Sequence, residues 1–244
     1  MFSNNETAPA KPRIILLIPA YNEEKCIVST VENLRKNYPQ YDFIIINDGS
    51  TDTTEEIIRE HCYPYLSLCT NLGIGGAMQT GYKYAAEHFY DIAIQFDGDG
   101  QHDPAYIEKL IEPIINGKAD FSIGSRFIEK LGFQTTVMRR FGNRFIAAII
   151  RLCCGVSVTD STSGFRAANF KAIKLFAYDY AHDYPEPEAI VTASLNGLKV
   201  CDCAVQMNER SSGVSSINFT RSIYYMIKVS IALVLCRIRN RRQK

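Results

Sequence analysis

The sequence lacks several features that mark large classes of protein. Its charges balance to +1 over 244 residues, so no basic excess points to nucleic acid as a partner. The eight cysteines include no CxxC pair, which argues against a zinc site. A disulfide framework is not expected in a chain of this length, and we expect reduced cytosolic thiols.

Long hydrophobic runs are also missing. No run of about 18 uncharged apolar residues occurs, so a transmembrane helix is not predicted. Residues 1–12 are polar, lack the apolar segment of a signal peptide and are expected to form a flexible tail. The whole chain is 46% hydrophobic and 22% charged, a composition that favours one globular domain with a real core.

Apolar runs alternate with helix-period segments in the first half. Short buried strands are predicted at 14–18, 43–46, 65–69, 92–96 and 121–123. Helical patterns are predicted between them, at 24–37, 53–61, 75–89 and 105–116. This alternation is typical of a parallel sheet covered by helices on both faces. The second half is less regular, with helices predicted at 137–153, near 186–196 and from about 218, and a strand-like segment at 199–207.

A polar motif follows each of the five predicted strands. In chain order the motifs are PAYNEE, NDGSTD, NLGIGGA, DGDGQHDP and GSRF. Parallel α/β sheets bind ligands beyond the carboxyl ends of their strands, so the motifs predict one ligand site at that edge. The third motif lacks the GxGxxG spacing of a dinucleotide site, which argues against a dehydrogenase.

The motif DGDGQHDP collects oxygen ligands. Its carboxylate and amide groups on a tight, adaptable backbone suit a hard divalent cation, Mg²⁺ or Mn²⁺. The alternative is an acidic turn that closes a strand before a helix starting at Pro104. In the earlier motifs, Asn22 and either Ser50 or Asp52 are candidate helix caps. That assignment leaves Asp48 free at a strand tip, where it can accept hydrogen bonds from a base or ribose.

Taken together, the motifs resemble those of family 2 glycosyltransferases with the GT-A fold. The resemblance rests on IPAYNEE, NDGSTD, NLGIGGAMQTGY, DGDGQHDP and IGSRF, in this order and spacing. Within that family, DSTSGFR and ERSSGVSS most resemble the dolichyl-phosphate mannose synthase group, which transfers a sugar from a nucleotide to a polyprenyl phosphate. The resemblance implies a mostly parallel α/β sheet flanked by helices, with the catalytic domain over 13–217. The residue pattern beyond it predicts a C-terminal amphipathic helix over 218–244.

The resemblance also implies roles for individual residues. A divalent metal, Mg²⁺ or Mn²⁺, would be held by Asp97, Asp99 and Gln101. The nucleotide sugar would contact Pro19, Tyr21, Glu23, Asp48, Asp97 and Gly98. The implied catalytic residues are Asp160, Arg126 and Arg210. Asp103 lies past the ligand set, and we expect it to cap the following helix.

An acceptor phosphate needs cations around it, because two anions have to approach each other. Besides the implied catalytic arginines, the candidates are Arg139, Arg140 and Arg144, whose alternative is a solvated helix face. A phosphate monoester needs little activation, whereas a sugar hydroxyl needs a general base. Asp160 can serve in either case. Glu186 and Glu188 are alternative bases, and both equally suit a helix N-terminus.

The C-terminal segment joins an apolar stretch to a basic end. Residues 223–236 are almost all apolar but fall short of the roughly 20 residues that a membrane span needs. Five of the last eight residues are basic. The pattern predicts a helix lying on an anionic cytoplasmic leaflet, with a core-packed helix and solvated tail as the alternative. A small integral-membrane partner protein is also expected.

We therefore expect an inverting, metal-dependent transferase that makes a polyprenyl-phosphate sugar for a surface polysaccharide. It would use a UDP-sugar in preference to a GDP-sugar and lie on the inner face of the cell membrane. Two alternatives stay open. One is a family 2 enzyme that glycosylates a hydroxyl of a growing glycan, and the other is a non-catalytic regulator that binds nucleotide sugars.

Overall fold

The computed structural model describes residues 11–129, 137–208 and 219–243, and within these ranges seven strands form one sheet. The strands are β1 (Ile14–Ala20), β2 (Asp42–Asn47), β3 (Tyr65–Ser67), β4 (Ile92–Gln95), β5 (Phe121–Ser125), β6 (Arg166–Asn169) and β7 (Val200–Ala204). Their order is β3-β2-β1-β4-β6-β5-β7, and among them only β6 runs antiparallel to its neighbours. The predicted mostly parallel α/β sheet is confirmed.

Helices cover the sheet on both sides. They are α1 (Ile27–Asn37), α2 (Thr54–Glu60), α3 (Gly73–Glu87), α4 (Ile107–Ile115), α5 (Val137–Cys154), α6 (Phe170–Tyr178), α7 (Pro185–Leu195) and α8 (Phe219–Gln243). A 3₁₀ turn, Pro104–Tyr106, precedes α4. At its start the Asp103 carboxylate accepts a hydrogen bond from the Ala105 amide at 2.9 Å, which confirms the predicted cap.

Strand β6 and helix α6 were not predicted from the sequence. The strand reads RAAN, and a buried arginine followed by two alanines carries little of the β-branched and aromatic signal of a strand. The helix had a usable start signal, because the side chain of Asn169 caps it by accepting from the amides of Lys171 and Ala172. The predicted strand-like segment at 199–207 is strand only as far as Ala204.

The alternating side chains of β1 build two cores. Ile15 and Leu17 lie in a cluster with α3, α5, α6, α7 and α8. Leu16 and Ile18 lie in a second cluster on the other face, with α1 and α4. Successive strand residues point to opposite faces, so a strand buried on both faces has to be apolar throughout. The continuous apolar runs of the sequence have this cause.

The last helix packs on the first of these cores. Val229, Leu233 and Cys236 are buried, and α8 contacts both α5 and α7. Within residues 11–129, 137–208 and 219–243, none of the helices combines the length and the hydropathy of a membrane span.

The ring of Phe176 gives a direct test of the core. It lies on α6 with ring centroids 5.2 Å from Tyr82, 5.1 Å from Phe121 and 5.3 Å from Tyr180. Phe176→Ala should lower the free energy of unfolding by about 3–5 kcal/mol, because it leaves a cavity among these rings. The matched control is Tyr178→Ala on the same helix, where the side chain is 87% exposed and the cost should stay below about 0.5 kcal/mol. Urea unfolding followed by circular dichroism measures both, and equal losses would contradict this core.

Candidate active site

Three loops leave adjacent parallel strands at one edge of the sheet. Ala20 at the end of β1 pairs with Asn47 of β2, and Leu17 pairs with Gln95 of β4. The backbone amide of Asp48 then donates to the Ala20 carbonyl at 2.9 Å. The residues that follow β1, β2 and β4 therefore lie side by side, as the positions of the motifs predicted.

Asn22 joins the first two loops. It has a φ of 58°, and its Oδ1 accepts from the amides of Thr51 at 2.8 Å and Asp52 at 3.3 Å. The predicted helix cap at Asn22 is wrong, because its side chain reaches the neighbouring loop, and α1 begins at Ile27 without a side-chain cap. The carboxylate of Asp52 does accept from the amide of Thr54, the first residue of α2, at 3.0 Å.

The end of β1 and helix α1 also meet the acidic motif. The Thr30 hydroxyl donates to the Gly98 carbonyl at 2.9 Å, and a Cβ placed on Gly98 would lie 3.5 Å from the Pro19 carbonyl oxygen. Tyr21 is 45% exposed just beyond β1, while the Glu23 amide donates to the Thr54 hydroxyl at 2.9 Å. These positions place the side chain of Tyr21 within reach of a ligand at the sheet edge.

Asp48 ties the loop after β2 to the loop after β3, which precedes α3. It is only 4% exposed, and its Oδ1 accepts from the Leu72 amide at 2.7 Å. The expectation that the whole carboxylate is free is wrong, since the loop after β3 donates to Oδ1, and contact of Asp48 with a nucleotide sugar stays a prediction. Burial raises the pKa of Asp48, while the amides of Leu72 and Gly73 oppose that shift. Next to it, Gly49 has a φ of 66°, and a Cβ there would lie 2.8 Å from the Asn71 nitrogen, so only glycine fits.

A buried histidine supports the acidic motif. His102 is 3% exposed, and its Nδ1 accepts from the Asp97 amide at 2.9 Å while its Nε2 lies 3.5 Å from Asp97 Oδ2. Its ring stacks on Phe165 with centroids 4.8 Å apart. No role was predicted for His102 from the sequence, because its contacts with Asp97 and Phe165 depend on the tertiary structure.

The donor set of this motif fits a divalent cation that other oxygens complete. Asp97 keeps 29% of its side chain exposed, and its Oδ2 lies 3.5 Å from His102 Nε2. Asp99 Oδ1 accepts from the Gln101 amide at 3.0 Å, which fixes the turn. No three His, Cys, Asp or Glu side chains of the described ranges form a metal-binding group. Two carboxylates and one amide would thus leave part of the shell of Mg²⁺ or Mn²⁺ to another molecule.

Arg126 and Asp160 form a bidentate ion pair at the end of β5. Nε lies 2.7 Å from Oδ2, and Nη2 lies 2.9 Å from Oδ1. Asp160 is fully buried, whereas 17% of the Arg126 side chain is exposed. Both oxygens of the carboxylate therefore accept hydrogen bonds from the guanidinium. This geometry favours Asp160 as the residue that orients Arg126 over a role as a general base.

The loop that carries Asp160 is anchored on α5. Asn143 Nδ2 donates to the Thr159 carbonyl at 2.7 Å, and its Oδ1 accepts from the amide and hydroxyl of Ser161 at 2.9 and 2.8 Å. The Thr159 hydroxyl donates to Asp202 of β7 at 2.7 Å. The side chain of Asn143 thus holds residues on both sides of Asp160. No sequence pattern singled this asparagine out.

Arg166 is the largest fully buried side chain of the described residues. Its guanidinium donates to the carbonyls of Ser163 at 2.5 Å, Glu186 at 2.5 Å and Ser161 at 3.2 Å. It therefore joins the loop 159–165 to the first turn of α7. In the same loop a Cβ on Gly164 would lie 2.9 Å from Asp97 Oδ2, so the loop touches the acidic motif.

The remaining predicted residues lie around this junction. Burial raises the pKa of Glu186, against the opposing charge of Arg166, and burial also raises the pKa of Glu188. On α5, Arg140 is half-buried and Arg144 is exposed, one residue after the asparagine that anchors the loop. The side chain of Arg139 and the whole of Arg210 lie outside the described residues.

The raised pKa of Glu186 makes a prediction about stability. The pKa of Glu186 is higher in the folded than in the unfolded protein. The contribution of Glu186 to stability is therefore most favourable below its unfolded-state pKa, and it is lost as the pH rises through its folded-state pKa. Glu186→Gln removes this titration. The melting temperature of the variant relative to wild type should therefore increase from about pH 4 to about pH 8. A difference that stays flat or falls with pH, measured by differential scanning calorimetry, would contradict this environment.

Comparison with known protein families gives independent support for the site. The model for glycosyl transferase family 2 matches residues 15–176. The match runs from β1 to α6, and it covers the loops at the sheet edge, the acidic motif and the Arg126–Asp160 pair.

Relatives extend the match towards the end of the chain. A UDP-N-acetylglucosamine–dolichyl-phosphate N-acetylglucosaminyltransferase from Methanococcus voltae is 36% identical over 213 residues, which covers 79% of this chain and 84% of the relative. An undecaprenyl-phosphate mannosyltransferase from Micrococcus luteus is 28% identical, with 84% and 88% covered. A polyprenol monophosphomannose synthase from Mycolicibacterium smegmatis is 25% identical, with 93% and 90% covered.

A solved structure shows the same fold. Glucosyl-3-phosphoglycerate synthase from Mycobacterium tuberculosis, crystallised with Mn²⁺, UDP-glucose and phosphoglyceric acid, superposes with a TM-score of 0.71. The alignment covers 93% of this chain and 80% of that one at 20% identity. The family match and the relatives show that the chain belongs to glycosyl transferase family 2 and is a glycosyltransferase.

Proposed function

We propose that the protein transfers a sugar from a nucleoside-diphosphate sugar to a polyprenyl phosphate. The observation that carries the proposal is the contact between two halves of the site through Gly164. One half is the acidic motif around Asp97, and the other is the Arg126–Asp160 pair with the loop 159–165. The three relatives described above are named for dolichyl, undecaprenyl and polyprenol phosphate chemistry, which supports this class of acceptor.

The donor side would consist of the interlocked loops that follow β1, β2 and β3. Tyr21 is 45% exposed just beyond β1, where its ring would stack on a base. Asp48 holds the loop after β3 at the end of the neighbouring strand β2. We favour a UDP-sugar, because the Methanococcus relative is named for UDP-N-acetylglucosamine and the Mycobacterium structure holds UDP-glucose. The same structure contains Mn²⁺, and another in the series contains Mg²⁺.

A divalent metal would bind Asp97, Asp99 and Gln101. When bound, it would neutralise negative charge that develops on the departing diphosphate, and the diphosphate oxygens would complete its shell. His102 would hold Asp97 in position through the backbone amide and one carboxylate oxygen.

The acceptor side suits a phosphate. A phosphate monoester has a second pKa of about 6, so at neutral pH it is already ionised and needs no general base. Its oxygen would attack C1 of the sugar while the bond from C1 to the diphosphate oxygen breaks, which inverts the anomeric centre. Arg126, oriented by Asp160, would hydrogen-bond to phosphate oxygens. Further candidates are Arg139, Arg140, Arg144 and Arg210.

A hydroxyl acceptor on a growing glycan is the second candidate. One observation favours it: the carboxyl of Glu186 lies beside the site with a raised pKa, as a general base would. Radiolabelled UDP-sugars, incubated with the protein and a polyprenyl phosphate, separate the two. The proposal expects label in the lipid extract that mild acid releases, and acid-stable label on a glycan would contradict it.

The proposed acceptor also places the enzyme at a membrane. We propose that it works as a peripheral protein at the cytoplasmic face, where both a water-soluble donor and a lipid phosphate are accessible. A small integral-membrane partner protein remains part of this proposal.

The proposed role of Asp99 as a metal ligand can be tested with two substitutions in the same motif. Asp99→Ala should reduce transfer by more than about 100-fold, since loss of even an outer-shell partner of a metal typically costs 10- to 100-fold. Asp103→Ala is the matched control, because Asp103 caps the next helix, and its loss should leave transfer within a few fold of wild type. Excess EDTA should reproduce the loss. Wild-type rates for Asp99→Ala, or in EDTA, would remove the metal from the proposal.

Arg126 should matter more for turnover than for donor binding. Arg126→Ala removes charge-assisted hydrogen bonds worth about 1.5–3 kcal/mol, which corresponds to a loss of roughly 10- to 150-fold in kcat. Arg126→Ala combined with Asp160→Asn removes the stranded buried charge and controls for misfolding. Calorimetry should find nearly unchanged affinity for the nucleotide sugar. An equal loss of that affinity would move Arg126 to the donor side.

A further inference from the structure

Helix α5 turns an apolar and cationic face to solvent. Its exposed residues recur at spacings of three and four, which places them on one side of the helix. They are Phe141, Arg144, Phe145, Ala148, Arg151 and Leu152. Phe141 is 63% exposed and Leu152 is 76% exposed, although side chains of this kind normally enter a core.

Helix α8 shows the same pattern. It is buried through Val229, Leu233 and Cys236, and the residues of its opposite side are exposed. The exposed large apolar residues are Tyr224, Ile227, Ile231, Val234, Leu235 and Ile238. Six large apolar side chains of this helix therefore face solvent, which filling the core alone would not require.

The two exposed faces are neighbours. A Cβ on Gly142 would lie 3.6 Å from the sulfur of Met226, and Arg237 donates a hydrogen bond to the carbonyl of Leu152. The two contacts are ten residues apart along α5 and eleven residues apart along α8, in the same chain direction. The helices therefore run parallel and side by side. Both also contact α7, which leaves their outer faces directed away from the core.

The charge of the two helices indicates which kind of partner this surface would bind. Helix α5 carries four basic residues and helix α8 carries six, and neither helix contains an acidic residue. Arg151 and Lys228 are exposed among the apolar side chains, while Arg239 pairs with Asp179 at 2.7 Å. Apolar side chains interspersed with cations complement a lipid leaflet with anionic headgroups.

We propose that the outer faces of α5 and α8 together form one docking surface for an anionic membrane. The aromatic and aliphatic side chains enter the boundary between headgroups and acyl chains, and the cations meet lipid phosphates. The surface needs both helices, since the exposed face of α5 continues that of α8. A second copy of the chain or a membrane protein would be a different occupant.

Docking in this orientation would bring the site to the lipid headgroups. Asn143 holds the loop of Asp160 from the inner side of α5, and Phe141, Arg144 and Phe145 lie on the outer side of the same turn. The loop that carries Asp160 therefore lies on one side of α5 and the docking surface on the other, so the width of one helix, about 10 Å, separates them. This consequence rests on the proposed function, whereas the docking itself does not.

The absence of tryptophan from the sequence provides a clean test. Phe145→Trp on α5 and Ile231→Trp on α8 each introduce a single reporter into the surface. Ile115→Trp is the matched control, because Ile115 is 54% exposed on α4, which packs against the other face of the sheet. Each protein is mixed with vesicles of phosphatidylglycerol and phosphatidylcholine whose acyl chains carry bromine. Quenching and a blue shift are expected for the first two reporters and not for the third.

The cations are tested by flotation with the same vesicles. Arg151→Gln with Lys228→Gln should weaken vesicle binding about fivefold for each cation removed, and salt should weaken wild-type binding. Lys36→Gln with Lys118→Gln, exposed elsewhere, should leave binding unchanged. The vesicles contain no polyprenyl phosphate, so failure of docking and failure of the proposed transfer are separate results.

Three outcomes would overturn the docking surface. The first is no flotation of the wild type, or equal quenching of all three reporters. The second is a blue shift at 145 and 231 without vesicles that grows with protein concentration, which would assign the surface to a second copy. The third is binding to vesicles that carry membrane proteins and none to protein-free vesicles, which would assign it to a partner protein.

Discussion

Burial of the Arg166 guanidinium is the constraint on which the site depends. An unpaired buried charge is expensive, and here carbonyl oxygens from Ser161, Ser163 and Glu186 surround it. These carbonyls belong to two separate segments, so Arg166 is satisfied only when both are in place. The loop that presents Asp160 and the start of α7 are thereby fixed together beside the acidic motif.

This arrangement divides the site by chemistry. The ends of β1, β2 and β4 gather the acidic motif and the interlocked loops on one side, where a nucleoside diphosphate with its cation would be complementary. The loop after α5 orients the guanidinium of Arg126 on the other side. Asn143 connects this loop to the helix whose outer face we propose as the membrane contact. Donor site, phosphate site and lipid surface thus follow one another along a short path.

Much of this could be predicted from the sequence, because its strongest signals are periodic or local. Continuous apolar runs identify the parallel strands, and the rule that their carboxyl ends share an edge correctly predicts that Asp97 and Asp48 lie at the same edge. What failed depended on tertiary partners. Arg166 begins β6, a strand whose sequence carries little strand signal. Asn22 and His102 make their contacts with residues outside their own turns. Asp48 was expected to be free, yet the loop after β3 donates a hydrogen bond to its Oδ1.

The central claim is that the sugar is transferred to a phosphate oxygen at the lipid end of this site. It is tested most directly by the NMR spectrum of the lipid product made from a donor labelled with ¹³C at the anomeric carbon. The account predicts coupling between that carbon and a single ³¹P nucleus, with the anomeric configuration opposite to that of the donor. A labelled anomeric carbon bonded to a glycan hydroxyl, without phosphorus coupling, would contradict it.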